Sequence, residues 1–186
     1  MTHEVQRRLI HASGGVFPLA YVADLYPYRV LQYGFAVGVL AVAVLETLRL
    51  SGVVNWALFD RLTREYEQEN VAGYALYVVS IAIVLWLFSP VIAIPASLML
   101  TFGDPISGLL GSGERRRVKQ SFVLLVMFGV CSLLALPFVG SYAAVAGAVA
   151  ATLADGATPT VAGYVIDDNL TIPPAAAAAM LAVMGL

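Results

Sequence analysis

Apolar residues run along this chain in long stretches separated by short polar ones. A membrane helix needs about 20 such residues, with roughly 17–25 the usual range. Residues 10–26 form a short first stretch and 30–50 a strong second. Residues 51–71 are polar and charged, and 73–103 are apolar but too long for one untilted span. Ser89-Pro90 and Pro95 punctuate that segment, and proline removes a donor and clashes with the preceding turn. We therefore divide it into 73–88 and a short, irregular 91–103. A polar, basic loop follows at 104–119, then spans at 120–138, 139–154 and 171–186, with a polar loop at 155–170. The pattern predicts an all-α fold: a polytopic membrane helix bundle of about seven spans, two of them short or irregular. Residues 1–186 make a single integral membrane domain. Within 51–71, Trp56, Phe59, Leu62 and Tyr66 recur at helical spacing, which predicts an interfacial helix. No tandem repeat is visible.

Composition agrees with this reading. Hydrophobic residues make up 60% of the chain, charged residues only 12%, and mean hydropathy is +0.86, whereas soluble domains carry about a quarter charged residues. The polar start followed by an apolar run could mimic a signal peptide, but Gly14, Gly15 and Pro18 interrupt it, so it reads as a retained first span. Cytoplasmic segments carry excess Lys and Arg. With the N-terminus cytoplasmic, Arg7, Arg8, Arg49, Arg61, Arg64, Arg115, Arg116, Arg117 and Lys119 all face the cytoplasm, and only Arg29 falls outside. This makes 51–71 and 104–119 cytoplasmic. The same topology puts Glu46, Asp104, Asp155, Asp167 and Asp168 at or near that boundary. The formal net charge of -2 argues neither for nor against nucleic acid. The single cysteine, Cys131, reads as a buried small side chain.

Four constellations could carry chemistry. In Glu4-x-x-Arg7-Arg8-x-x-His11, residues four apart are neighbours on a helix, giving either a phosphate-facing cation pair or a membrane anchor. Glu46 and Arg49, followed by Asn55 and Arg64-Glu65-x-Glu67, suit either a polar site or an ion pair that stitches helices together. Gly103-Asp104-Pro-Ile-Ser-Gly108-Leu-Leu-Gly111, leading to Arg115, Arg116, Arg117 and Lys119, combines glycines, a hard carboxylate ligand and positive charge. Magnesium favours one or two carboxylates plus substrate phosphates, although a flexible basic loop would look the same. The Walker A spacing is absent. Finally, Asp155 and Asp167-Asp168-Asn169-Leu-Thr171 gather three carboxylates and an amide. Asn169 or Thr171 could cap the last helix, and a divalent cation would relieve repulsion between Asp167 and Asp168.

Taken in order, these stretches resemble the family of polyprenol/dolichol kinases, phytol kinases and CTP-dependent diacylglycerol kinases. The matching residues are Arg7-Arg8-Leu-Ile-His11 with Gly14-Gly15, Glu46-x-x-Arg49 to Asn55 to Arg64-Glu65 with Gly73, the Gly103-Asp104 loop through Gly111, Asp155, and Asp168-Asn169-Leu-Thr-Ile-Pro173. The chain departs from the family at Lys119-Gln120-Ser121, which Phe122-Val123 follows in place of Glu-Gly, and at Asp155, where the family has glutamate. The resemblance implies a membrane enzyme, its site on the cytoplasmic side, that transfers the γ-phosphate of CTP to a lipid hydroxyl with Mg2+. Expected partners are CTP, a lipid alcohol and the bilayer, with no nucleic acid. Asp104 and Asp168 are expected to hold the metal, with Asp155 as the next catalytic carboxylate. Gly103, Gly108, Arg115, Arg116, Arg117, Lys119, Arg7, His11 and Asn169 are expected at the nucleotide and its phosphates. Glu46, Arg49, Asn55 and Arg64 are expected to organise the site. A cytidylyltransferase making a CDP-lipid is the alternative, followed by a transporter or a scaffold without chemistry.

Overall fold

The computed structural model describes residues 3–54, 56, 59, 63–64, 67–111, 120–157, 159–161 and 164–185. Among them the regular structure is helical except for one small hairpin. The helices are α1 (His3–Ser13), α2 (Val16–Val22), α3 (Tyr28–Leu50), α4 (Gly73–Leu87), α5 (Pro90–Leu98), α6 (Asp104–Leu110), α7 (Ser121–Ala135), α8 (Ser141–Gly156) and α9 (Asp168–Met184). A π-helical turn, Met99–Gly103, joins α5 to α6. Strands β1 (Thr160–Val161) and β2 (Tyr164–Val165) pair antiparallel, Thr160 opposite Val165.

The span count from hydropathy is corrected by these lengths. Among the described residues two helices are long and apolar enough to cross a membrane, Tyr28–Leu50 and the continuous run Pro90–Leu110, rather than about seven. The other apolar segments are cut short. α4 and α7 have 15 residues each, α8 has 16, α9 has 17 and α2 only 7, below the usual span of about 20. Hydropathy records how apolar a segment is, not what it faces. The run Pro90–Leu110 is mostly packed inside the protein, whereas α3 leaves Val30, Val37, Leu40 and Val44 exposed.

α5 and the π-helical turn lie at the centre. Ile92, Ala93, Ile94, Leu98, Met99 and Leu100 are all buried. The break before α5 falls at Ser89-Pro90, where proline takes the first helical position and its missing N–H costs nothing. α4, α7 and α9 pack around this central run, and α3 lies against α4. The closest packing is between α8 and α9. α8 buries Ala143, Ala144, Gly147, Ala148 and Ala151 at small-residue spacing, and α9 buries Ala176, Ala177 and Met180. Small side chains let helix backbones approach closely. At Gly147 a β-carbon would stand 2.6 Å from Met180 Cγ, so the contact requires glycine. Cys131 is buried on α7 against Met127, as its apolar setting suggested.

Gly147→Val should therefore overpack this interface and cost about 1–3 kcal/mol. Thermal unfolding of the purified protein in detergent would register the loss as a lower Tm.

Candidate metal centre and its surroundings

Three carboxylates from three elements meet in the core. Asp104 opens α6, Asp155 lies near the end of α8, and Asp168 opens α9. One oxygen from each lies within 4.8 Å of the other two. The three residues are 5%, 1% and 6% exposed, so solvent screens their repulsion poorly. Two oxygens held by one ion at about 2.0–2.6 Å can be no more than about 5 Å apart, and the triad meets that limit. All three donors are hard carboxylate oxygens, the type that magnesium, calcium and manganese prefer. Asp155, expected beside the metal-binding pair, stands within the same cluster.

Proline and π-helical geometry set Asp104 in place. Pro105 has no N–H to offer the turn before it. That turn widens over Met99–Gly103, and its Leu100 carbonyl is met by His11 Nε2 at 3.1 Å. π-helical turns inside α-helices are frequent at functional sites. Asp104 therefore sits within the continuous run Pro90–Leu110, not at the end of a broken span. His11 Nε2 also stands 3.8 Å from Asp104 Oδ2, and its ring meets Tyr77 edge-on. Burial holds the His11 imidazole below its ordinary pKa, the Asp104 carboxylate working in the opposite direction. Arg7 lies close enough to His11 to add to the lowering.

Two residues absent from the expected site join it. Arg8 Nη1 donates to the Asp104 carbonyl at 3.5 Å, and its guanidinium covers Gly108, where a β-carbon would overlap it. Gly108 thus makes room for an arginine. Gly103 packs instead against Met127 and Cys131 of α7. Ser107 Oγ donates to Asp155 Oδ2 at 2.7 Å and orients it. Ser107 lies three residues after Asp104, one helical turn, which was the available signal.

The start of α9 separates the two neighbouring aspartates. Asp167 is the N-cap: its Oδ1 accepts the Asn169 N–H at 2.9 Å, the usual capping bond. This corrects the expectation that Asn169 or Thr171 caps the helix. Asp167 Oδ2 lies 3.7 Å from Arg64 Nη1, while Asp168 turns to the triad. Asn169 Nδ2 donates to Asp167 Oδ1 at 2.6 Å. Pro173 cannot donate to the Asn169 carbonyl four residues earlier, and Ser80 Oγ fills that role at 2.6 Å.

Glu46 and Arg49 fasten the chain that leads into α4. Their ion pair measures 2.7 Å. Glu46 accepts the Ala72 N–H at 3.0 Å and the Tyr74 hydroxyl. Arg49 donates to the carbonyls of Glu67, Gln68 and Asn70 at 3.0, 3.1 and 2.6 Å. Backbone groups in an irregular turn need partners, and this pair supplies them. Asn55, Arg115, Arg116, Arg117 and Lys119 lie outside the described residues, as do Leu62 and Tyr66. Of the expected interfacial helix, Trp56 is exposed and stacks on buried Phe59.

Fold and site together define a helical protein with two membrane-capable helices and a buried three-carboxylate centre able to hold a metal ion. This chain is similar to CTP-dependent diacylglycerol kinase 1 of Eremothecium gossypii, with 29% identity over 118 residues, 59% of this chain and 36% of that protein. The chain thus matches little more than a third of its relative's length. No family model matches the chain, and no solved structure matches it at a significant level.

Arg49→Ala removes one partner of a buried pair, for which a loss of about 3–5 kcal/mol is typical. The expected outcome is a markedly lower Tm; an unchanged Tm would show that Glu46 does not depend on Arg49.

Proposed function

We propose that this protein is a lipid-alcohol phosphotransferase. It would move the γ-phosphate of CTP to the hydroxyl of a membrane lipid such as a polyprenol, an isoprenoid alcohol of the phytol type or a diradylglycerol. The observation that carries the reading is the meeting of Asp104, Asp155 and Asp168 in one buried cluster. Likeness to a CTP-dependent diacylglycerol kinase supports the donor and the class of acceptor.

Phosphoryl transfer asks a protein mainly for positioning and for stabilisation of charge. Asp104, Asp155 and Asp168 would hold magnesium, which when bound neutralises charge on the phosphates. Ser107 keeps Asp155 turned toward its neighbours. Arg8, fixed over Gly108, brings a permanent positive charge next to Asp104. Arg7 and His11 approach from α1, and Arg115, Arg116, Arg117 and Lys119 are proposed as further phosphate contacts. A lipid alcohol keeps its tail in the bilayer and its hydroxyl at the boundary, and the nucleotide comes from the cytoplasm. The proposed site therefore opens on the cytoplasmic side of a membrane.

The test uses purified protein in liposomes with Mg2+ and CTP labelled separately in the γ-phosphate and the cytidine. Label from the γ-phosphate alone should appear on a lipid alcohol. Cytidine label on a lipid phosphate would overturn the reading in favour of a cytidylyltransferase. Asp104→Asn should leave the protein folded and cut transfer to about 1% of wild type or less, equivalent to about 2.7 kcal/mol or more of transition-state stabilisation.

A further inference from the structure

Two buried oxygens around Gly73 and the start of α9 have no hydrogen-bond donor among the described residues. They are Oε1 of Glu67, a residue 2% exposed, and Oδ1 of Asn169, 1% exposed. An unsatisfied buried polar group is costly, so keeping two of them on neighbouring side chains points to a ligand that brings a donor. The remaining polar atoms of both side chains are committed. Glu67 Oε2 accepts the Arg64 N–H at 3.0 Å, and Arg49 grips the Glu67 carbonyl at 3.0 Å. Asn169 Nδ2 donates to Asp167. Gly73 stands between the two side chains: a β-carbon on it would come 3.0 Å from Asn169 Nδ2 and 3.3 Å from Glu67 Oε1. A side chain at position 73 would crowd both.

We infer that Glu67 is a catalytic residue, its Oε1 accepting the proton of the lipid hydroxyl; the inference rests on the phosphotransferase reading. Of the reacting groups, the phosphates bring acceptor oxygens and no donor. The donors of the nucleoside lie at the far end of the triphosphate from the transferred group. Asn169 directly follows Asp168, a member of the triad, so these two side chains adjoin the place proposed for the transferred phosphate. The reactant that brings an O–H there is the alcohol. Its oxygen forms a bond to the γ-phosphorus. The bond from that phosphorus to the bridging oxygen breaks, and its electron pair leaves on the nucleoside diphosphate. The hydroxyl proton passes to Glu67 Oε1. A general base must lie within hydrogen-bond reach of the proton it takes, and Arg49 holds this carboxylate's backbone in position beforehand.

Kinetics of the full chain in lipid vesicles would test this, with γ-labelled CTP and a lipid alcohol the wild type uses. Glu67→Gln should lower kcat by about 10²–10⁴-fold with directly measured CTP affinity unchanged, and Glu67→Asp should recover part of the loss. Gly73→Ala should raise KM for the alcohol without altering CTP affinity, and it decides the matter if Glu67→Gln does not fold. Wild-type kcat in Glu67→Gln, or an unchanged alcohol KM in Gly73→Ala, overturns the role of Glu67 and leaves the phosphotransferase reading standing. Folded wild-type protein that binds CTP but transfers phosphate to no lipid alcohol overturns both.

Discussion

Three carboxylates buried within 4.8 Å of one another are the constraint around which the rest of this structure is arranged. At that separation each ionised pair repels by roughly 3 kcal/mol at an effective dielectric near 20. Carboxylates that share a site cannot all ionise without help: a proton or a cation must intervene. A fold that needed only stability would replace them with apolar residues. This one instead spends local structure on holding them together. Pro105 and the π-helical turn shape the run that carries Asp104, Ser107 fixes Asp155, and the Asp167 cap starts the helix that carries Asp168.

Around the triad, residues whose ordinary role would be structural also serve to deliver polar groups. Pro173 leaves the Asn169 carbonyl without its helical donor, and Ser80 takes that donor's place, tying α9 to α4. The Glu46–Arg49 pair holds the carbonyls of Glu67, Gln68 and Asn70, so the path into α4 has hydrogen-bond partners without regular structure. Arg8 lies where Gly108 has no side chain, bringing the N-terminal helix onto the start of α6. These contacts are long-range in sequence, and each joins an element to the triad or to its immediate neighbours.

Much of this was legible in the chain, though unevenly. Proline and glycine positions marked the ends of helices, and the aspartates stood out because carboxylates are rare among apolar segments. Topology was read less well, because hydropathy cannot tell a lipid-facing stripe from a helix-facing one. Ile92, Ile94 and Leu100 look like membrane residues and are buried in protein, as are Ala176 and Ala177 of α9. Nothing in the spacing of Asp104, Asp155 and Asp168 shows that they meet, since only the packing of α6, α8 and α9 does that. Glu67 stood in the constellation with Glu46, Arg49 and Arg64 but drew no role of its own, because it lies in a charged segment where glutamates are expected on the surface. Arg49, eighteen residues earlier, holds its backbone carbonyl.

The central claim is that the triad is a metal centre. Crystals of the protein grown with Mn2+ and a non-hydrolysable CTP analogue would test it by anomalous scattering, since manganese accepts the same hard oxygen ligands. The account expects an anomalous peak bonded to Asp104, Asp155 and Asp168 at about 2.0–2.6 Å. Analogue bound with no peak among those three carboxylates would contradict it.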